Sequence, residues 1–274
     1  MRNNPCLAED RLSSATMTPE PHAKSTAAVG LPAWITACLF DLDGVLTKTA
    51  VVHGAAWKQM FDDFLRKRAD RLAEPFVEFD TRGDYERYVD GKPRFDGVRS
   101  FLASRRIDLP EGSDDDPESA ETIRALGNRK NQLVLELLDR DGVEAYPGSV
   151  GFVRAALAAG LRCAVVSSSA NCEDVLRAAG LRELFEVVVD GKVAARDGLA
   201  GKPAPDTFKA AALALDTDPA HAAVFEDALA GVEAGRAGDF GFVVGVDRVG
   251  QAAQLKQRGA DIVVRDLAEL MENK

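Results

Sequence analysis

The chain reads as an α/β protein: a doubly wound parallel sheet of Rossmann-like type, with a helical cap domain inserted after the first strand. Three observations predict this. From about residue 145 onward, short apolar runs alternate with helical stretches and turn residues. One further apolar run, Ala37-Cys38-Leu39-Phe40, stands far ahead of them. Between the two, residues 50 to 143 carry helical periodicity that no strand pattern interrupts. The expected organisation is a disordered extension over 1–32, an α/β core over 33–48 and 145–274, and a cap over 49–144.

Taken in order, residues 1–32 are rich in Ser, Thr, Ala and Pro, lack periodicity and hold no apolar h-region, so neither a secretory signal nor a ligand role for His22 is expected. Leu31 to Asp43 reads as one strand and its carboxyl end. Thr49 to Phe64 reads as a helix, with Val52, Ala56, Met60 and Phe64 on one face and Trp57, Phe61 and Leu65 beside it. Residues 74–84 read as a loop, Val98 to Arg105 as a short helix, and Asp108 to Glu118 as an acidic solvated loop. Ser119 to Leu138 reads as a longer helix.

After Tyr146-Pro147-Gly148 the alternation begins. Helices are expected over Ser149–Ala159, Asn171–Ala179 with Asn171 as N-cap, Asp206–Ala214, and from the strand end at Phe225 to Ala237. Strands are expected over Leu161–Val166, Glu186–Val189, Ala222–Phe225, Phe242–Val246 and Ile262–Val264. Apolar strands alternating with helices mean a parallel sheet covered on both faces.

The 274 residues are 46% hydrophobic, enough for a sizeable core, and carry a formal net charge of −10. That charge argues against nucleic acid or an anionic membrane as partner. It leaves room for an anionic small molecule, since local Lys and Arg decide that. No apolar stretch approaches the length of a membrane span. Cys6, Cys38, Cys163 and Cys172 have no metal-binding spacing. A reducing cytoplasm and a monomer are expected.

Four clusters fall at strand ends, where open α/β sheets bind ligands. Asp41 and Asp43 follow the first strand, and Gly44 then lets the backbone turn. Two carboxylates at one point call for a cation or a shared proton, which suggests a hard metal such as Mg²⁺. Val45 and Leu46 stand where an EF-hand loop needs a polar ligand and a Gly, so that reading fails. Val166-Ser167-Ser168-Ser169 runs from a strand into hydroxyls and a helix start, a setting that suits phosphate oxygens. Gly201-Lys202-Pro203-Ala204-Pro205-Asp206 fixes one cation in a rigid loop, and Phe225-Glu226-Asp227 ends another strand in an acid pair. Singly, each has an ordinary reading as a polar turn, a surface lysine or a helix-start charge. Their order and placement together are far more specific.

This combination resembles the haloacid dehalogenase superfamily of phosphotransferases over roughly Ala33 to Leu267. The β-phosphoglucomutase group is similar in further detail: Asp41-Leu42-Asp43-Gly44-Val45 with Thr49, His53 and Trp57, then Gly91-Lys92-Pro93-Arg94, Arg129-Lys130-Asn131, Tyr146-Pro147-Gly148 and Glu226-Asp227-x-x-Ala230-Gly231. The resemblance implies that Asp41 is a nucleophile forming an aspartyl phosphate and that Asp43 is the general acid/base. It implies Mg²⁺ held by Asp41, the Asp43 carbonyl and Asp227, with Glu226 in support. Ser167, Ser168 and Lys202 would bind the transferring phosphoryl group. Thr49, His53, Trp57, Gly91, Arg94, Lys130, Ser169 and Asn171 would hold the sugar and its second phosphate. The implied substrates are β-glucose 1-phosphate and glucose 6-phosphate, with glucose 1,6-bisphosphate as primer and intermediate. A sugar-phosphate phosphatase shares every one of these core residues, and a non-catalytic phosphosugar sensor is a third reading.

The sequence departs from the group at Ala170, where the resembled enzymes usually have Lys, and at Ala228, where a hydroxyl residue is common. It also carries extra sequence between about Arg66 and Glu118.

Overall fold

The computed structural model describes residues 26–272; His22 and Cys6 lie outside them. The strands are β1 (Ala37–Phe40), β2 (Arg162–Val166), β3 (Val187–Val189), β4 (Ala222–Glu226), β5 (Phe242–Val246) and β6 (Ile262–Val264). They form one parallel sheet in the order β3-β2-β1-β4-β5-β6. The run Ala37 to Phe40 is apolar throughout because both faces are covered: Cys38 and Phe40 enter one core, Ala37 and Leu39 the other. Phe40 stacks on Phe225 of the neighbouring strand, ring centroids 4.5 Å apart. The chain winds outward from β1 through β2 and β3, then returns to lay β4 on the other side of β1. That reversal opens a crevice at the carboxyl ends of β1 and β4, the place where such sheets bind ligands.

Between β1 and the rest of the core lie α1 (Thr49–Leu72), a π-helical turn (Tyr85–Val89), α2 (Arg94–Ser104) and α3 (Ile123–Asp141). They enclose their own apolar cluster of Trp57, Met60, Phe61, Phe64, Phe79, Phe101 and Leu126. The helix α1 runs past Phe64 to Leu72 because Leu65 and Ala69 continue the buried face through Arg66-Lys67-Arg68. It stops at Ala73, which takes a left-handed conformation with φ 53°. The helix α2 starts at Arg94, earlier than expected, directly after Pro93. The helix α3 starts at Ile123 rather than Ser119, because the Thr122 hydroxyl accepts from the Ala125 N–H and caps it there.

The sheet is then covered on one face by α4 (Pro147–Ala158) and α5 (Cys172–Ala178). A short helix α6 (Gly191–Asp197) follows β3, capped by Asp190, whose carboxylate accepts from Lys192 and Val193 N–H. The other face takes α7 (Asp206–Ala214), α8 (Leu229–Ala237) and α9 (Ala252–Arg258), and α10 (Ala268–Glu272) returns to the first face.

Two expectations are corrected at the front of the fold. The disordered extension does not reach residue 32: Thr26–Val29 forms a 3-10 turn, and Val29 and Leu31 are buried in the core. Residues 1–25 lie outside those described. The first strand is also shorter than Leu31 to Asp43, since Pro32 accepts from the Ile35 N–H in a turn before it. No helix of the described residues is long and apolar enough to cross a membrane.

Candidate active site

Asp41 is the first residue after β1, Ser167 the first after β2, and Glu226-Asp227 span the end of β4. These three strands are neighbours, so their ends deliver the four groups to one point. Gly44 makes the turn with φ +87°, and a Cβ there would lie 1.8 Å from Asp227 Oδ2. Glycine therefore lets the first acidic loop lie against the second.

Lys202 enters from the loop before α7. Its ammonium donates to Asp41 Oδ1 at 2.5 Å, to the Val166 carbonyl at 3.2 Å, and to Glu226 Oε1. The Lys202 side chain is 1% exposed, so the three bonds satisfy a cation removed from water. Burial alone would lower its pKa, but Asp41 and Glu226 hold it well above the ordinary lysine value. The second oxygen of Glu226 accepts from the Ala228 N–H at 2.9 Å. Burial pushes the Asp41 carboxyl up, against the pull of Lys202, and pushes Asp227 up as well, with Asp90 and Glu226 adding to it.

One carboxylate oxygen each from Asp41, Glu226 and Asp227 lies within 4.8 Å of the others. An all-oxygen, buried, charge-crowded donor set suits a hard divalent cation such as Mg²⁺. Within that set Glu226 accepts one bond at each oxygen and Asp41 one at Oδ1, so acceptor capacity remains on all three carboxylates.

Asp43 is held apart from this cluster. Its Oδ1 accepts from the Thr49 hydroxyl, which lies 2.6 Å from the Thr47 hydroxyl. His53 Nε2 lies 3.6 Å from the same oxygen. On the far side of the ring, Lys130 Nζ is 2.9 Å from His53 Nδ1. When Lys130 is protonated its ammonium only donates, so Nδ1 then accepts and the imidazole proton sits on Nε2, facing Asp43. Burial, reinforced by Lys130 and opposed by Asp43, lowers the His53 pKa to about 4 and keeps the ring neutral. Burial lowers Lys130 to about 7, with Asp43 opposing and Arg94 adding. Lys130 also sits 4.8 Å over the Trp57 ring.

The helical insertion closes over these groups and leaves a cavity of about 660 Å³. Asp41, Asp43, His53, Trp57, Gly91, Arg94, Lys130, Ser167, Ser168, Ser169, Glu226 and Asp227 all line it. Arg94 is half-buried over the Phe95 ring, centroid distance 4.8 Å, and among the described residues no carboxylate pairs with it.

Several predicted residues serve contacts that the sequence did not suggest. The Ser168 hydroxyl donates to the Gly91 carbonyl at 2.8 Å and joins core to insertion. Asn171 stands before α5 but its side chain does not cap the helix; Nδ2 donates to Asn131 Oδ1 at 2.9 Å, a second bridge. Ser167 Oγ accepts from the Ser169 N–H and Ser169 Oγ from the Asn171 N–H, which fixes the loop. Thr49 is buried behind Asp43.

The cavity also holds residues that sequence reasoning missed: Tyr85, Asp90, Arg124, Asn128 and Lys192. Asp90 directly precedes the Gly91-Lys92-Pro93-Arg94 cluster, and that adjacency was the available signal. Burial pushes its carboxyl up to about 7, with Glu226 adding to the effect and Tyr85 opposing it.

With this geometry in view, comparison places the chain. A family model for haloacid dehalogenase-like hydrolases matches residues 35–239, and the chain belongs to that family of enzymes. Beta-phosphoglucomutases of Mycobacterium bovis and Mycobacterium tuberculosis are each 57% identical to it over 246 residues, 89% of this chain and 94% of theirs. A crystal structure of beta-phosphoglucomutase from Clostridium difficile is similar with a TM-score of 0.67 at 25% identity, covering 86% of this chain and 93% of that one. The resemblance read from the four clusters is borne out, with one correction: the Lys202 cluster follows α6 and precedes α7, and does not lie at a strand end.

Proposed function

We propose that this enzyme is a Mg²⁺-dependent β-phosphoglucomutase that interconverts β-D-glucose 1-phosphate and glucose 6-phosphate through glucose 1,6-bisphosphate. The observation that carries the reading is the separation of two carboxylates in one covered cavity. Asp41 is clamped by Lys202, while Asp43 is held away from it by Thr49 and backed by the His53–Lys130 pair.

In this reading Asp41 attacks phosphorus and the phosphoryl group passes from the sugar oxygen to its carboxylate. Asp43 delivers a proton to the departing sugar oxygen, then takes it back from the hydroxyl that attacks in the second half. The neutral His53 turns its Nε2 toward Asp43 from 3.6 Å, while the Thr49 hydroxyl holds the carboxylate in place. The Lys202 ammonium and the Ser167 hydroxyl offset charge on the transferring oxygens. Asp41, the Asp43 carbonyl and Asp227 would hold Mg²⁺, oriented by Glu226, and the ion would supply further charge neutralisation at the phosphoryl group. Arg94 is the guanidinium available for a second, non-transferring phosphate, with Ser169 lining the same cavity and Asn171 behind Asn131 of its wall. The two bridges, Ser168 to Gly91 and Asn171 to Asn131, keep the insertion down as a cap while the bisphosphate reorients, and so keep water from the aspartyl phosphate.

A second reading, a sugar-phosphate phosphatase, rests on Ala170, which lines the cavity without the ammonium found in similar enzymes. A small-molecule partner, a monomeric state and a cytoplasmic setting belong to the main proposal. The free, buried Cys38, Cys163 and Cys172 support a reducing compartment.

Phosphorus NMR tests it, with Mg²⁺, β-glucose 1-phosphate and a trace of glucose 1,6-bisphosphate. Growth of glucose 6-phosphate without inorganic phosphate is expected. Inorganic phosphate rising as fast as substrate falls would make the protein a phosphatase.

A further inference from the structure

The loop after β5, residues 247 to 251, adjoins the end of β4 and has no part in the chemistry above. Its own shape is fixed. The Asp247 N–H donates to the Val264 carbonyl at 2.7 Å, and Asp247 Oδ1 accepts from the N–H groups of Gly250 at 2.7 Å and Gln251 at 2.8 Å. Gly250 turns the chain with φ +84°, and α9 starts directly after Gln251. From this loop two side chains reach the two acidic loops of the site, one each.

Arg248 reaches the first. Its Nε donates to the Gly44 carbonyl at 2.7 Å. Its Nη1 donates to the Arg265 carbonyl at 2.6 Å and lies 3.7 Å from Asp266 Oδ2, and the guanidinium sits 3.6 Å over the Tyr146 ring. The side chain is 15% exposed, so a long cation is held in one geometry. Gly44 is gripped on its other side as well, where its N–H donates to the Thr47 carbonyl at 2.8 Å. The C=O and N–H of a planar trans peptide point opposite ways, so that bond also sets the direction of the Asp43 carbonyl. With the next carbonyl held by Arg248, little freedom is left at the glycine.

Gln251 reaches the second. Its Nε2 donates to the Asp227 carbonyl at 3.0 Å. The same peptide is held at its other end, where the Ala228 N–H donates to Glu226 Oε2 at 2.9 Å. Gln251 is 4% exposed, and its Oε1 is buried with no hydrogen-bond partner among the described residues. A buried amide oxygen without a partner costs free energy that an apolar side chain of similar size does not, so filling space does not account for a glutamine here. Its bond to Asp227 does.

The two loops need such holding. The carboxylates of Asp41, Glu226 and Asp227 crowd within 4.8 Å, and like charges push apart. Loops free to spread would have to be gathered again when a cation binds, at a cost in affinity. We infer that Arg248 and Gln251 are positioning residues for the metal site, which from one loop hold the Gly44–Val45 and Asp227–Ala228 peptides in place for a hard divalent cation; this rests on the Mg²⁺-dependent reading above and deepens it.

The test is Mg²⁺ binding without substrate, measured by calorimetry on wild type, Gln251→Leu, Arg248→Met and Arg248→Lys, beside urea unfolding of each in chelator. Gln251→Leu and Arg248→Met are expected to bind Mg²⁺ about 10- to 100-fold more weakly, the usual effect of losing a group that orients a metal ligand. Arg248→Lys keeps a donor for the Gly44 carbonyl and should recover part of the loss. In turnover, the Mg²⁺ concentration for half-maximal rate should rise by the same factor, while kcat at saturating Mg²⁺ and KM for β-glucose 1-phosphate stay near the wild-type values. If Arg248→Met does not fold, Gln251→Leu and Arg248→Lys carry the test.

Two results overturn the inference. One is Mg²⁺ affinity equal to wild type in Gln251→Leu and Arg248→Lys, whatever happens to their unfolding in chelator, which would make both side chains structural only. The other is a fall in kcat at saturating Mg²⁺ with no change in the Mg²⁺ requirement. If wild type itself binds no Mg²⁺, the metal in the proposed function falls and takes this inference with it. If wild type binds Mg²⁺ and the variants bind it equally well, this inference falls alone.

Discussion

Replacing Lys202 by Met isolates the interaction on which the site is built. The ammonium lies between Asp41 and Glu226, whose side chains are 10% and 0% exposed. Met fills most of the lysine volume and its thioether can rest on Phe208, whose ring lies 4.9 Å from the present ammonium. The substitution therefore leaves little cavity and removes chiefly the charge. Breaking a buried pair by deleting one partner costs about 3–5 kcal/mol, because the remaining charge is stranded. Here two carboxylates are stranded together. Asp41, already raised in the folded wild type, moves further above its unfolded value, so the folded variant binds more protons and its stability falls as pH rises. In wild type Lys202 is raised, so its contribution is complete below the ordinary lysine value and does not change between pH 5 and 8. The deficit of the variant is thus about 3–5 kcal/mol at pH 8 and smaller at pH 5, where proton uptake by the raised Asp41 carboxyl relieves the stranded charge. Urea unfolding of both proteins in chelator, with equal slopes, measures it. A deficit under about 1 kcal/mol at pH 8, or one equal at both pH values, would refute the reasoning.

Other predictions come from the same geometry. Gly44→Ala puts a methyl group into Asp227 at a residue with φ +87°, so Mg²⁺ affinity by calorimetry should fall about 10- to 100-fold, and unchanged affinity would remove Asp227 from the metal site. Lys130 has a folded pKa of about 7, below its unfolded value, so the unfolded chain holds the extra proton above pH 7 and wild-type stability gains with pH there. Lys130→Met lacks that gain, and its stability relative to wild type should drop by roughly 2–3 kcal/mol between pH 7 and 9; a flat difference would place the titration elsewhere. Asn131→Ala cuts the bridge to Asn171 and should raise the share of turnover that ends as inorganic phosphate; an unchanged share would show that this bridge does not exclude water.

Much of this was legible in the chain because burial on both faces leaves a simple trace. A strand such as Ala37 to Phe40 must be apolar at every position, and the polar residue that ends it stands out. Asp41, Ser167 and Glu226-Asp227 were found that way. The short α6 was missed because its start, Asp190-Gly191, has the composition of a turn, and none of its residues is buried to supply a period. The reach of α1 to Leu72 was missed because three basic residues interrupt a face that only tertiary packing reveals. Asp90 left no periodic signal, since its meaning depends on which strand ends the insertion folds over. The roles of Ser168 and Asn171 as bridges depend on the same long-range placement.

The central claim is that Asp41 carries the phosphoryl group and passes it to sugar rather than water. Acid quenching of enzyme mixed with radiolabelled glucose 1,6-bisphosphate, followed by peptide mapping, tests it most directly. The account predicts label on the peptide that contains Asp41, its loss together with all turnover in Asp41→Asn, and a chase by glucose monophosphate that moves the label into bisphosphate. Label on another residue, or turnover that survives in Asp41→Asn, would contradict it.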